Sequence, residues 1–123
     1  VGIDEGLVVK WIIESAALTS DEIAELTSLI RDVVIDTVGE QKASDVFVKT
    51  STGFYKPEDG GPGGATIDDV SIMSLNAGPL KVKASGGIYS REDLEKMIDA
   101  GASRIGTSAG LEIIKGEKAN TDY

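Results

Sequence analysis

Two lysines carry the first hint of chemistry. Lys49 lies in Val48-Lys49-Thr50-Ser51-Thr52-Gly53, and Lys83 lies in Lys81-Val82-Lys83-Ala84-Ser85-Gly86-Gly87. Each lies near the end of a short strand-like run and precedes small polar residues and glycine. Parallel α/β folds gather their sites at such strand ends. In an extended run, Val46 and Val48 face one side, while Phe47, Lys49 and Ser51 face the other. Adjacent parallel strands lie about 4.8 Å apart, so the two ammonium groups reach one pocket. Two cations in a partly desolvated site cannot both hold their protons cheaply, and one pKa is expected to fall. A neutral lysine is the nucleophile that forms a Schiff base with a carbonyl. The plainer reading is a pair of strand-end lysines whose stems cover apolar surface or whose charges meet the many acids.

Glycines follow both later strands, as Gly86-Gly87 and as Gly106-Thr107-Ser108-Ala109-Gly110. Such loops let backbone N–H groups approach an anion, and the next helix N-terminus adds positive dipole. Tight βα turns that simply need glycine account for either loop alone. Gly60-Gly61-Pro62-Gly63-Gly64 is not a Walker loop, since no Gly-Lys-Ser/Thr follows, and reads as a mobile lid or plain linker. Asp32-Val33-Val34-Ile35-Asp36 is read as a solvated helix face rather than a strand with a catalytic acid.

The elements that must position these groups follow from hydrophobic spacing. Residues 7–13 form a β-branched run suited to one buried strand. Thr19 or Ser20 caps a helix over 20–38 with Asp21 and Glu22 in its first turn. Its periodic positions are Ile23, Leu26, Ile30, Val33 and Thr37, and Gly39 closes it. Residues 45–51 are a second strand, followed by a glycine-rich loop over 53–64 and a helix opening at Thr66. Residues 80–85 form a third strand, and Ser90 caps a helix that stops at Gly101. Residues 104–106 are a brief fourth strand, 109–115 a short helix, and 116–123 a polar tail expected to be flexible. Strand–helix alternation implies an α/β fold with a parallel sheet. Four βα units fit a small open sheet or half of an eight-stranded barrel, which needs about 250 residues; composition does not choose.

Composition narrows the chemistry. Twenty-one Asp and Glu against twelve Lys and Arg leave 123 residues with a formal charge of −9, which argues against a phosphate-tracking nucleic-acid partner. A hydrophobic fraction of 41% fits one folded domain over residues 1–123. With no cysteine or histidine, thiolate catalysis, imidazole chemistry and Cys- or His-ligated metal are excluded, and a cytoplasmic location is the default. No apolar run reaches the ~20 residues of a membrane span. The first residue is Val1 rather than Met, which hints at processing or a fragment.

Taken in order, several segments resemble one family, the deoxyribose-phosphate aldolases, class I aldolases built on a TIM barrel. They are Lys10-Trp11-Ile12-Ile13-Glu14 with Leu18-Thr19, then Phe47-Val48-Lys49-Thr50-Ser51-Thr52-Gly53-Phe54 and Gly63-Gly64-Ala65-Thr66. Val82-Lys83-Ala84-Ser85-Gly86-Gly87-Ile88 and Gly101-Ala102-Ser103-Arg104-Ile105-Gly106-Thr107-Ser108 continue the match across nearly the whole chain, apart from a longer stretch around Val34 to Ala43. The resemblance implies that Lys49 is the Schiff-base lysine and Lys83 the second lysine that lowers its pKa. It further implies that Lys10 lines the site, that Gly86, Gly87, Gly106 and Ser108 hold the substrate phosphate, and that Tyr123 assists proton transfer. The implied reaction is reversible cleavage of 2-deoxyribose 5-phosphate to glyceraldehyde 3-phosphate and acetaldehyde, with no metal or organic cofactor.

The departures from the family pattern are specific. Only the last four of eight strands are matched, so the chain is expected to be a C-terminal half barrel. The family's catalytic aspartate lies on the strand before Lys10 and has no counterpart here. Tyr89 stands where the family often has arginine after Gly-Gly-Ile, which should weaken phosphate affinity. A half barrel exposes two sheet edges and part of a core, so a homodimer or association with the missing N-terminal half is expected. A non-catalytic sugar-phosphate-binding or self-assembling half barrel is the alternative function.

Overall fold

The computed structural model describes residues 1–117. Four parallel strands form one sheet: β1 (Val9–Ile12), β2 (Val46–Lys49), β3 (Lys81–Ser85) and β4 (Arg104–Gly106), in the order β1-β2-β3-β4. Between them run α1 (Ser20–Val38), α2 (Glu40–Ala43), α3 (Ile67–Asn76) and α4 (Arg91–Asp99), and α5 (Gly110–Lys115) follows β4. A 3-10 turn, Ser15–Ala17, links β1 to α1.

Helix boundaries follow local chemistry. Thr19 and Glu22 form a reciprocal capping box at the start of α1, and the Thr66 and Ser90 hydroxyls accept from the N–H groups of Asp69 and Asp93. Gly39, at φ 83°, ends α1 in a conformation open to glycine and leads directly into α2.

One apolar cluster lies between the helices and a single face of the sheet. Val46, Val48, Val82 and Ala84 pack there with Ile23, Ile30 and Val34 of α1, Val70 and Met73 of α3, Met97 of α4 and Ile113 of α5. Each fully buried aliphatic side chain contributes about 1.5–3 kcal/mol. Sequential strand order with helices on one face is barrel-like; a doubly wound sheet reverses its order and carries helices on both faces.

Two local expectations are corrected. The run 7–13 is not a buried strand: Leu7, Val8, Trp11 and Ile12 are 57%, 44%, 48% and 47% exposed. β1 is an outer strand, with no neighbour beyond it among the described residues. The buried stripe of α1 is Ile23, Thr27, Ile30 and Val34, whereas Val33 and Thr37 face solvent. That stripe is the one turned toward both the sheet and α3. Asp32 and Asp36 lie on the exposed helix surface, as read from the sequence. Among the described residues, no helix is long and apolar enough to cross a membrane.

Candidate functional site

On the sheet face opposite the helices, strand register aligns the basic residues. Ile12, Lys49, Lys83 and Arg104 are paired across all four strands, and Lys10, Phe47 and Lys81 form a second row. The alternation that sends Val46 and Val48 into the helix core sends Phe47 and Lys49 here. Phe47 is 4% exposed yet outside the helix-side cluster. The Arg104 guanidinium lies 4.5 Å from its ring centroid and the Lys81 ammonium 5.8 Å, so the ring is the platform on which two cations rest.

Lys49 and Lys83 are direct register partners and are both half-buried. Burial holds the Lys83 pKa below the ordinary lysine value, and Lys49, Lys10 and Arg104 lower it further by repulsion. The depressed lysine is thus Lys83, the residue with cationic neighbours on every other strand. Lys10 is exposed on β1.

The strand ends are fastened together above this row. The Thr50 hydroxyl donates to the Ser85 carbonyl at 3.0 Å and accepts from the Ser85 N–H at 3.0 Å, while the Ser51 hydroxyl donates to the same carbonyl at 2.7 Å. Glu14, at φ 54°, turns its carboxylate to accept from the Thr52 N–H at 3.2 Å and from the Thr52 hydroxyl, clipping the end of β1 to that of β2.

Beside the basic row, a cleft of about 550 Å³ opens between the loop after β2 and the loop after β3. Its walls include Tyr55, Lys56, Gly63, Gly86, Gly87 and Tyr89. The glycine-rich segment forms one wall of this cleft. The Ala65 N–H donates to the carbonyls of Ser85 at 2.9 Å and Gly86 at 3.1 Å, and a Cβ at Gly64 would lie 2.5 Å from the Gly86 carbonyl carbon. Gly86 and Gly87 adopt φ values of 82° and 76°. The Tyr89 N–H donates to an Asp93 carboxylate oxygen at 3.1 Å.

The sequence-predicted residues thus fall into groups. Lys10, Lys49 and Lys83 share the open face, and Gly86 and Gly87 line the cleft. Gly106 lies at the end of β4 against Ser85 and Lys83, and Ser108 is exposed in the loop before α5; neither is among the cleft-lining residues. That loop is tied to the neighbouring one, since the Thr107 hydroxyl donates to the Ile88 carbonyl at 2.7 Å. Tyr123 lies outside the described residues. Arg104, Phe47 and Lys81 were not singled out from the sequence. Their signal was the two-residue period through 45, 47 and 49, 81 and 83, and 104 and 106.

No family model matches the chain. It is 47% identical over 119 residues to a deoxyribose-phosphate aldolase from Streptococcus sanguinis, covering 96% of this chain and 47% of that protein. It is 45% identical over 124 residues to one from Staphylococcus haemolyticus, covering 100% and 49%. Among solved structures, a tetrameric deoxyribose phosphate aldolase from Aeropyrum pernix matches with a TM-score of 0.65 and 33% identity, covering 91% of this chain and 42% of that one. The aldolase QR15 matches with a TM-score of 0.66 and 38% identity, covering 88% and 42%. The chain spans about half the length of the curated relatives it matches. By sequence and by fold, the chain belongs to the deoxyribose-phosphate aldolase family.

Proposed function

We propose that this chain supplies the Schiff-base half of a cytoplasmic aldolase that reversibly cleaves 2-deoxyribose 5-phosphate to glyceraldehyde 3-phosphate and acetaldehyde. The observation that carries the reading is the pairing of Lys49 with Lys83 at the ends of adjacent strands, inside a row of cations. In this account the Lys49 amine adds to the aldehyde carbon of the open-chain sugar and water leaves, forming a protonated imine. The imine draws electrons from the C2–C3 bond as the 3-hydroxyl gives up its proton. That bond breaks, glyceraldehyde 3-phosphate departs, and the enamine left behind is protonated and hydrolysed to acetaldehyde.

Lys83 is the second lysine of the pair, its pKa lowered by burial and by the charge of Lys49. Lys10 and Arg104 add to the same field, and Tyr123 assists proton transfer as in the family it resembles. Gly86, Gly87, Gly106 and Ser108 are the candidate phosphate-loop positions. Gly86 and Gly87 line the cleft, whose wall also includes Lys56. The lowered pKa at Lys83 favours a second reading of the roles, in which Lys83 is itself the neutral nucleophile.

The open face calls for the remainder of a barrel. A second copy of this chain would bring a second Lys10, Lys49, Lys81, Lys83 and Arg104 into one interior, so a complementary half with carboxylates is the better partner. Turnover of 2-deoxyribose 5-phosphate, followed as released acetaldehyde, tests the function. Loss by at least about 1,000-fold in Lys49→Ala is expected for a covalent nucleophile. Equal turnover by wild type and variant would overturn it. Turnover that survives in Lys49→Ala but vanishes in Lys83→Ala would transfer the role to Lys83.

A further inference from the structure

Gly106 does not need to be glycine for its backbone, because its φ is not among the positive values in the chain. The constraint is space. A Cβ at this position would lie 2.5 Å from the Ser85 hydroxyl oxygen and 3.1 Å from Cε of Lys83. Ser85 is the register partner of Gly106, and its backbone is held in place. Its carbonyl accepts from the Thr50 and Ser51 hydroxyls and from the Ala65 N–H, and its own N–H donates to the Thr50 hydroxyl. Its hydroxyl is buried without a hydrogen-bond partner among the described residues.

We propose that Gly106 is a positioning residue for Lys83: its missing side chain leaves the bay in which the lysine stem lies beside the Ser85 hydroxyl, low over the sheet. This role is separate from any contact of Gly106 with a phosphate, and it stands or falls on Lys83 whether or not the aldolase reading holds. The charged groups that face Lys83 are Lys10 on β1, Lys49 on β2 and Arg104 on β4, all cationic. A methyl group at 106 crowds the stem, which must give by a few tenths of an ångström, toward water and away from those cations. Both changes favour the ammonium form.

The test is site-resolved acetylation of the intact chain across pH 6–11, with each lysine read by peptide mass spectrometry. In Gly106→Ala the Lys83 midpoint should move up by a few tenths of a pH unit, a roughly twofold loss of neutral amine at pH 8. Lys96 on α4 and Lys115 on α5 should keep their profiles. Ser85→Ala/Gly106→Ala removes the harder of the two contacts, so it should show a smaller shift relative to Ser85→Ala. Should Gly106→Ala fail to fold, that double-against-single comparison gives the reading alone. An unchanged Lys83 midpoint in folded Gly106→Ala overturns the proposal, as do equal midpoints in Ser85→Ala and the double variant.

Discussion

The two faces of β2 divide the molecule. Val46 and Val48 point into the helix-side core and are almost fully buried, whereas Phe47 and Lys49, one residue along, belong to an open face of lysines and arginine. The first face is built for packing: apolar, dense, and matched to the helices. The second carries like charges in register, a cost in folding free energy that no helix offsets. Charge of one sign concentrated on one face of an acidic chain is poor structural design and useful amine chemistry.

Substitutions at neighbouring residues break this comparison most sharply. Val48→Asp places an unpaired carboxylate in the core and should cost more than about 4 kcal/mol, abolishing the cooperative melt. A retained melt in urea or by heat would mean the helix face is not the core. Met73→Ala, which empties space between α3 and the sheet, should cost about 2–5 kcal/mol in the same measurement. Thr19→Ala removes the capping box of α1 on the outer surface and should cost about 1 kcal/mol. An effect as large as that of Met73→Ala would show that the helix, not the core, limits stability.

The open face predicts the opposite sign. The folded pKa of Lys83 lies below its unfolded value, so the folded state resists binding this proton. Below the folded pKa the penalty is complete; it is relieved as pH rises through the folded pKa toward the ordinary lysine range. Lys83→Met should therefore stabilise the chain at pH 7, by at most about 1 kcal/mol for a solvent-screened group, with the gain shrinking toward pH 10. Denaturant melts of both proteins at pH 7 and 10 check this. A destabilised variant at pH 7 would show that the lysine holds the sheet together.

Much of this division was legible in the sequence. The period of two through Val46, Phe47, Val48 and Lys49 separates the faces, and Thr19, Thr66 and Ser90 mark helix starts by hydrogen bonds made within three residues. The exposure of β1 was not legible, because the run around Trp11 and Ile12 reads alike whether a strand lies beyond it or not. The stripe of α1 shifted from Val33 to Val34 because its packing against α3 joins residues far apart in sequence. The loop before Gly64 has no period to read, and its docking on Gly86 depends on a backbone approach that no local pattern encodes. Gly106 illustrates the same limit: its type suggests an anion loop, while its surroundings reveal a side-chain bay. The resemblance to the aldolases brought Lys10, Lys49 and Lys83 together as a set, but not Arg104 or the Phe47 platform.

The central claim, that the open face activates a lysine amine, is tested most directly by borohydride reduction in the presence of acetaldehyde, followed by intact mass and peptide mapping. The account predicts one reduced adduct, on Lys49, formed faster than on surface lysines such as Lys115 and absent in Lys49→Ala. Uniform slow labelling of all lysines, unchanged by Lys49→Ala, would contradict it.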